Sequence, residues 1–498
     1  MEEMIVSAVI GELASRFISF LIDTCSKLLM MAPPVTREEN LDRLRGLLVR
    51  IGAVVEDAEG RRITNHAMLQ QLDALRQEMH RGHLTLDTLR CQGRQHSFAA
   101  SGSNPAKRLR ICHRSGDGGE SRRELQRVLG RLETAVQDAA EFVQLSGRYL
   151  LRLARQPYSM YLLLEKCMFC RQMEMERVID FLLQGAAEHL GVLPIVGPAY
   201  VGKSTLVEHA CIDERVRRHF SQILLLSGGD LSDGDALNNL ADGVGVIKHE
   251  NRAVAGRGGR GRALVILELD SDISEELWRS LHSVAKNCFA RRSKIIVTSR
   301  SDRIVRFGTT LPLRLQFLAQ EAYWYYFKVR SFGSVDMAME HPKLTSIAME
   351  MAREMSGCFM GASIFGGMLR SRLDVGTWSL ALATYRAFRQ MNYFLSEPNP
   401  VDPWALTRPI LLPTPNGRSP GSRCVIVTGV ALAHGDSAAP PKVSVQDVML
   451  GSARPRGKFT ALAWRAHIPP HYNYVFSCEQ QVPVSAASRK KRARNVSM

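Results

Sequence analysis

Acidic residues are scarce in this chain: 49 Asp and Glu stand against 65 Lys and Arg, a net charge of +16. Such a surplus favours contact with anions, whether nucleotide, nucleic acid or an acidic membrane face. Much of it falls in segments that look unfolded, so charge alone does not make the chain a nucleic-acid binder. A cysteine framework is also missing. The 10 cysteines are scattered, and the one close pair, Cys167 and Cys170, sits in an apolar helix-like run. A single Cys-x-x-Cys is weak evidence for zinc or redox chemistry. Two packed thiols in a reducing compartment are expected instead. Long apolar runs are absent too. Met4–Ile22 is interrupted by Glu12 and Arg16, which suits an amphipathic bundle helix better than a membrane span. Membrane insertion of that helix is the lesser reading. Glu2 and Glu3 stand where a secretory leader would be basic, so no leader is expected.

What is present suits a soluble protein of about three domains. The apolar fraction of 45% is enough for a sizeable core. Residues 1–91 read as a helical N-terminal domain. Leu41, Leu44, Leu47, Leu48, Ile51, Val54, Val55 and Ala58 mark one helix face, and Leu69, Leu72, Leu75 and Met79 mark another. Residues 92–123, rich in Ser, Gly, Arg and Lys, read as a flexible basic linker. Ser121 and Glu124 have capping-box spacing. Residues 124–185 then continue as helix, with Leu125, Val128, Leu129, Leu132 and Val136 on one face.

From residue 186 to 330 the period changes. Leu193–Val196, Ile223–Leu226, Ala263–Leu267 and Lys294–Thr298 are short apolar runs between turn residues. They alternate with helical stretches, the mark of a mostly parallel sheet covered on both faces. Arg252–Arg262 is a charged, glycine-rich surface insertion, with nucleic-acid contact as its lesser reading. Residues 331–397 read as a small helical subdomain. Residues 398–498 are rich in Pro, Gly and Ser, with strand-like pieces at Cys424–Val430, Lys458–Trp464 and Tyr472–Cys478. The fold expected is therefore multidomain: an all-α bundle, an α/β nucleotide-binding domain with a parallel sheet, a small helical domain and a β-containing C-terminal region. For the basic end, Ser488–Arg494, a nuclear-import signal and a solvated tail both stay open.

One motif carries chemistry. Gly197-Pro-Ala-Tyr-Val-Gly-Lys-Ser-Thr205 matches G-x-x-x-x-G-K-[ST], with a strand-like run before it and a helix-like run after it. Gly197 and Gly202 let the backbone wrap closely around phosphate oxygens, and the helix start supplies positive potential. Lys203 is expected to reach the terminal phosphates, Ser204 to ligate Mg²⁺, and Thr205 to lie beside the phosphates. Glu268 ends a neighbouring strand, where an acid is needed to hold the metal. It is the candidate catalytic and metal residue. Leu269 follows it and cannot polarise a water; Asp270 and Asp272 lie just beyond. Arg300, at the end of Lys294–Arg300, is either a sensor of the terminal phosphate or a surface arginine.

The ordered series resembles the NB-ARC domain of plant disease-resistance proteins, the coiled-coil NLR receptors with an Rx-type N-terminal domain. It comprises Gly197–Thr205, His219–Leu226, Leu264–Asp270, Ser293–Arg300, Leu315–Phe327 and Gly357–Met360, and the likeness covers roughly residues 1–385. The variant spellings look most like a divergent group from grasses. The resemblance implies a switch in plant defence, held off by ADP and turned on by ATP, with Mg²⁺. It assigns phosphate binding to Lys203, Ser204 and Thr205, γ-phosphate sensing to Arg300, and the family's metal-binding aspartate to Glu268. It also implies immune-protein partners through the N-terminal helices, possible self-association and a cytoplasmic location, extended to the nucleus by the basic tail.

Departures from the family are specific. Its Gly-Leu-Pro-Leu is Gly357-Cys-Phe-Met360 here, so Phe359 replaces the proline that lies against adenine. The paired acids of its N-terminal domain become His83 and Leu84, leaving Asp87. No Met-His-Asp motif, winged-helix segment or leucine-rich repeat of roughly 20–29 residues is evident. The expected function is an ADP- or ATP-binding regulatory switch or adaptor with weak or no hydrolysis. An active P-loop ATPase, a nucleotide-free scaffold or decoy, and a nuclear nucleic-acid binder are the alternatives.

Overall fold

A computed structural model describes residues 36–99, 118–149, 168–184, 190–228, 246–250, 261–269, 272–392, 410–414, 424–434, 441–465 and 472–480. Met4–Ile22, Cys167, residues 252–260, Asp270 and Ser488–Arg494 lie outside them. In chain order, four helices come first: α1 (Arg37–Glu59), α2 (His66–Ala99), α3 (Gly118–Ser146) and α4 (Gln172–Leu183). An α/β segment follows: β1 (Gly191–Val196), α5 (Lys203–Ile212), α6 (Glu214–His219), β2 (Gln222–Ser227), β3 (Val246–Glu250), β4 (Ala263–Glu268), α7 (Glu275–Cys288), β5 (Lys294–Ser299) and β6 (Leu313–Arg314). Helices return as α8 (Gln320–Phe332), α9 (Met337–Glu340), α10 (Pro342–Met355), α11 (Phe359–Ser371) and α12 (Val375–Met391). The last elements are β7 (Ile410–Pro413), β8 (Cys424–His434), α13 (Val445–Leu450), β9 (Lys458–Arg465) and β10 (Tyr472–Gln480). Among the described residues, no helix is long and apolar enough to cross a membrane.

The chain forms two units, and each is discontinuous: Met1–Leu182 with Phe317–Cys358, and Leu183–Gln316 with Phe359–Met498. In the first, α1 starts at a capping box: the Thr36 side chain accepts from the Glu39 amide, and the Glu39 carboxylate accepts from the Thr36 amide at 2.6 Å. The expected stripes of α1, α2 and α3 are buried against one another, from Leu44 and Ile51 to Met79 and Leu132. Leucines every three or four residues leave each helix one apolar face, and three such faces close only on each other. Helix takes both ends of the basic stretch 92–123, because α2 runs through Ala99 and α3 begins at Gly118. Ser121 therefore lies inside α3 rather than capping it.

Helix α8 belongs to this helical unit. Asp87 of α2 is 2% exposed and accepts from Trp324 Nε1 at 2.9 Å and from Lys328 Nζ at 2.8 Å. A buried aspartate is tolerated because both donors are buried with it. His83 lies on the same helix face, its ring Nδ1 3.4 Å from Lys328 Nζ. One turn earlier, His80 packs against Tyr325 at 4.8 Å between ring centres. Burial, helped by Arg76 and Lys328, pushes His80 down to about 3, so it is neutral.

The second unit carries a six-stranded sheet in the order β3-β2-β4-β5-β1-β6. Five strands run parallel and β3 pairs antiparallel with β2 at the edge. The four expected apolar runs are β1, β2, β4 and β5. Their near-continuous apolar character matches strands covered on both faces. Helix α7 is capped by Ser274 and buries Trp278, which stacks on Phe307 at 4.6 Å. A second sheet, antiparallel and ordered β7-β8-β10-β9, contains the three strand-like C-terminal pieces. Two polar ties join it to the helices before it. Asn392 exchanges bonds with the Leu411 backbone, both at 2.7 Å, and Gln446 Nε2 donates to Ile364 O at 3.0 Å.

Candidate functional site

The site gathers where the central parallel strands end. β1 is level with β5 to Val196↔Ser299, and β4 is level with β5 to Glu268↔Thr298. The residues that follow these strands therefore emerge side by side: Gly197 after β1, Leu269 after β4, Arg300 after β5. In parallel α/β sheets ligands bind at this edge of the sheet.

The loop from Gly197 to Gly202 is shaped by close backbone approach. A Cβ on Gly197 would come within 2.6 Å of Leu315 O, so only glycine fits there. Tyr200 holds a left-handed φ of 61° and Gly202 one of 92°. Gly202 is the N-cap of α5 and offers no side-chain cap. The first-turn amides of α5 are thereby left to an outside acceptor, the arrangement that favours an anion. Leu206, Val207 and Ala210 anchor the helix in the core behind the loop.

Lys203 begins α5, and its ammonium turns back over the loop. It donates to Gly197 O at 2.7 Å and to Pro198 O at 2.8 Å. Burial pulls its pKa down to about 8, and the Arg300 guanidinium pushes the same way, opposed by the Glu268 carboxylate. Those interactions place Lys203, Arg300 and Glu268 around one space. Ser204 and Thr205 occupy the next two positions of α5, both half-buried. Phe359, first residue of α11, brings its ring edge to 3.9 Å from where a Gly202 Cβ would stand. The structure thus collects Gly197, Gly202, Lys203, Glu268, Arg300 and Phe359 around one loop.

The residues fit a phosphate group with magnesium. The loop is a cradle of carbonyls and amides with a half-buried cation inside it, and Ser204 and Glu268 are hard oxygen donors of the kind Mg²⁺ takes. Leu269 is 7% exposed and packs into the core between sheet and α7. Asp272 is paired with Arg303 at 2.8 Å. Among the described residues no group of three or more His, Cys, Asp or Glu could hold a metal ion. Cys170 is a free thiol pushed up to about 12 by burial.

Two residues at this site carry no sequence signal. Tyr200 fills one of the unspecified positions of the phosphate-loop pattern. Tyr474 lies on β10. Burial raises the Tyr474 hydroxyl, while Tyr200 and Arg300 draw it down.

No protein-family model matches the chain. It is 24% identical to disease resistance protein RGA2 of Solanum bulbocastanum over 386 residues, covering 74% of this chain and 38% of that protein. It is 23% identical to the putative disease resistance protein RGA1 of the same species, covering 68% and 35%. The putative disease resistance RPP13-like protein 1 of Arabidopsis thaliana is 23% identical, covering 70% and 34%. A chain from a structure of Drosophila ORC bound to DNA aligns at a TM-score of 0.33 and 14% identity, covering 49% of this chain and 70% of that one, too slight a likeness to bear on the site. The chain spans little more than a third of the length of the curated relatives it matches. Its homologues are plant disease-resistance proteins.

Proposed function

We propose that this chain is an adenine-nucleotide-binding regulatory protein of plant defence, an NLR-like switch or adaptor that hydrolyses ATP weakly or not at all. The observation that carries the reading is the posture of Lys203. Its half-buried ammonium turns back onto a loop of close-packed backbone, beside a helix start with no side-chain cap, within the electrostatic reach of Arg300 and Glu268. A phosphate group is the ligand for which that arrangement of cation and amides is complementary.

On this reading Lys203 leaves the Gly197 and Pro198 carbonyls for phosphate oxygens, and the first-turn amides of α5 donate alongside it. Ser204 Oγ and the Glu268 carboxylate hold Mg²⁺, which neutralises phosphate charge when bound. Thr205 lies beside the same oxygens. Arg300 senses the terminal phosphate, and Phe359 packs near the nucleotide. Leu269 supplies no base, so the attacking water lacks a partner and turnover is slow. The helical unit, with its Rx-type likeness, is the surface for other immune proteins or for self-association. The chain acts in the cytoplasm, and in the nucleus if residues 488–494 serve as an import signal.

The test is the nucleotide content of purified protein, released by denaturation and resolved by ion exchange. Near-stoichiometric ADP supports the switch. An empty protein that also fails to bind ADP or ATP with Mg²⁺ overturns it. That outcome would favour the nucleotide-free scaffold, a reading helped by the two carbonyls that already satisfy Lys203.

A further inference from the structure

The parallel sheet has a second end. Strands β1, β4 and β5 finish at the phosphate loop and its neighbours; where β2, β4 and β5 start, the chain gathers arginine. The register sets those starts side by side, with Gln222 of β2 level with Ala263 of β4, and Leu264 of β4 level with Lys294 of β5. Hydrogen bonds lock the residues just before them. Ser221 donates from its amide and from its hydroxyl to Arg262 O, both at 2.8 Å. The Ala263 amide donates to Ser293 Oγ at 3.0 Å, and the Ala290 amide to Gly261 O at 3.2 Å. His219, Arg262, Arg291 and Arg292 therefore stand along one rim, joined by Arg217 from the last turn of α6 and Lys286 from the last turn of α7. Arg217, Lys286, Arg291 and Arg292 are exposed; His219 and Arg262 are half-buried. The neighbouring Glu214 is the ion-pair partner of Arg218. The length of β5, about 20 Å, separates this rim from the phosphate loop.

Two details set the rim apart from a solvated basic face. Arg292 sits at φ 71°. That backbone is strained for a residue with a Cβ, and glycine would hold it without strain. Strain of this kind clusters at functional sites. The turn that imposes it is closed by Ser293, whose amide and hydroxyl both donate to Ala290 O, at 3.2 and 2.7 Å. The second detail is a stack. Arg262 Nη1 lies 3.4 Å from both ring nitrogens of His219. An approach in the ring plane would drive it into the carbon between them, so the guanidinium lies over the ring face. Burial, and then Arg262, Lys294 and Arg292, lower the His219 pKa, so the ring is neutral and tolerates the cation above it.

We propose that this rim is a binding surface for single-stranded nucleic acid, at the opposite end of the sheet from the nucleotide site. Arginine forks match phosphate oxygens in pairs, and of the exposed cations on the rim Lys286 alone is not arginine. The stack of Arg262 on His219 supplies a flat surface on which an unpaired base can lie. A lipid headgroup would use the charge but not that plane. A duplex, its bases already stacked on one another, would leave the plane unused as well. The surface is independent of the nucleotide-binding reading, because none of its residues belongs to the phosphate loop.

The experiment titrates the full chain into a fluorescein-labelled oligouridylate of about 20 nucleotides and follows anisotropy over a range of salt. The wild type should bind, more weakly as salt rises. Arg217→Ala, Arg291→Ala and Arg292→Gly together should weaken binding about a hundredfold at about 0.1 M salt, and reduce the slope of log affinity against log salt by about 2. That variant should melt no lower than wild type, since glycine relieves the backbone at 292; a merely structural role would lower the melting temperature instead. An abasic strand of the same length should bind about tenfold more weakly, because it brings phosphates without bases. Excess ADP with Mg²⁺ should leave the strand bound. A wild type that does not bind at low salt, or a triple variant that binds as wild type does, sinks the proposal. Equal affinity for the abasic strand or for duplex DNA removes the role of the stack and with it the assignment to unpaired bases. Phosphatidylserine vesicles that displace the strand at equal phosphate concentration would make the rim a membrane surface. Displacement by ADP would move the strand to the phosphate loop.

Discussion

Lys203 is the residue on which most depends. Lys203→Ala is expected to abolish ADP binding while the circular dichroism spectrum stays unchanged, because the side-chain hydrogen bonds go to loop carbonyls rather than to a core element. ADP bound as in wild type would remove Lys203 from the site. Its depressed pKa of about 8 gives a second expectation. Bound phosphate favours the charged form, so the complex takes up a proton where the free protein has lost one. Affinity for ADP should fall roughly tenfold per pH unit above the depressed value. The free protein moves the other way. Between a pKa of about 8 folded and 10.5 unfolded, the unfolded chain binds more protons, so stability rises with pH in that window. Titration calorimetry at several pH values, beside melting curves without ligand, reads both signs. The motif residues were legible in sequence because G-x-x-x-x-G-K-[ST] is a local signature with a local geometry. Glu268 was legible because it ends an apolar run. The left-handed backbone of Tyr200 was not, because Tyr200 fills an unspecified position of that pattern.

At the scale of elements, the close approach behind the loop sets one expectation. Gly197→Ala would push a methyl against Leu315 O and shift β6 or the loop, at a cost of about 1–3 kcal/mol. Melting temperature and ADP affinity should fall together; a variant matching wild type in both would show that the segment yields freely. The contact of α2 with α8 sets another. Asp87→Ala leaves Lys328 buried without its carboxylate, and losing one member of such a pair costs about 3–5 kcal/mol. Asp87→Leu with Lys328→Met should recover most of that loss. If the single variant melts like wild type, the pair is worth little. Strands β1, β2, β4 and β5 were readable as apolar runs bounded by turns. β3 was not, since Val-Ile-Lys-His-Glu has neither an apolar run nor strict alternation. The membership of α8 to α10 in the helical unit was unreadable as well. Trp324, Tyr325 and Phe327 announce a buried helix but not which surface buries it.

For the whole molecule, the two units do not correspond to two stretches of chain. The first needs Phe317–Cys358 to finish its core, and the second resumes at Phe359. A fragment ending at residue 182 would expose the face of α2 that α8 covers and would keep Asp87 without Lys328 or Trp324. Its melting should be broader and its aggregation greater than those of the full chain, as scattering during a thermal ramp would record. A fragment as cooperative and soluble as the parent would show that α1 to α4 suffice alone.

The separation of Asp87 from Lys328, 241 positions, also has a meaning in time. At roughly 5–20 residues per second of synthesis, Asp87 leaves the ribosome about 12–50 s before its lysine exists. The N-terminal helices spend that interval with an apolar face open, and the sheet that forms meanwhile belongs to the other unit. Completion of the first unit is therefore a late event in the birth of the chain. A nascent polypeptide halted before α8 should be a client for holding chaperones, and one halted after it should be released from them.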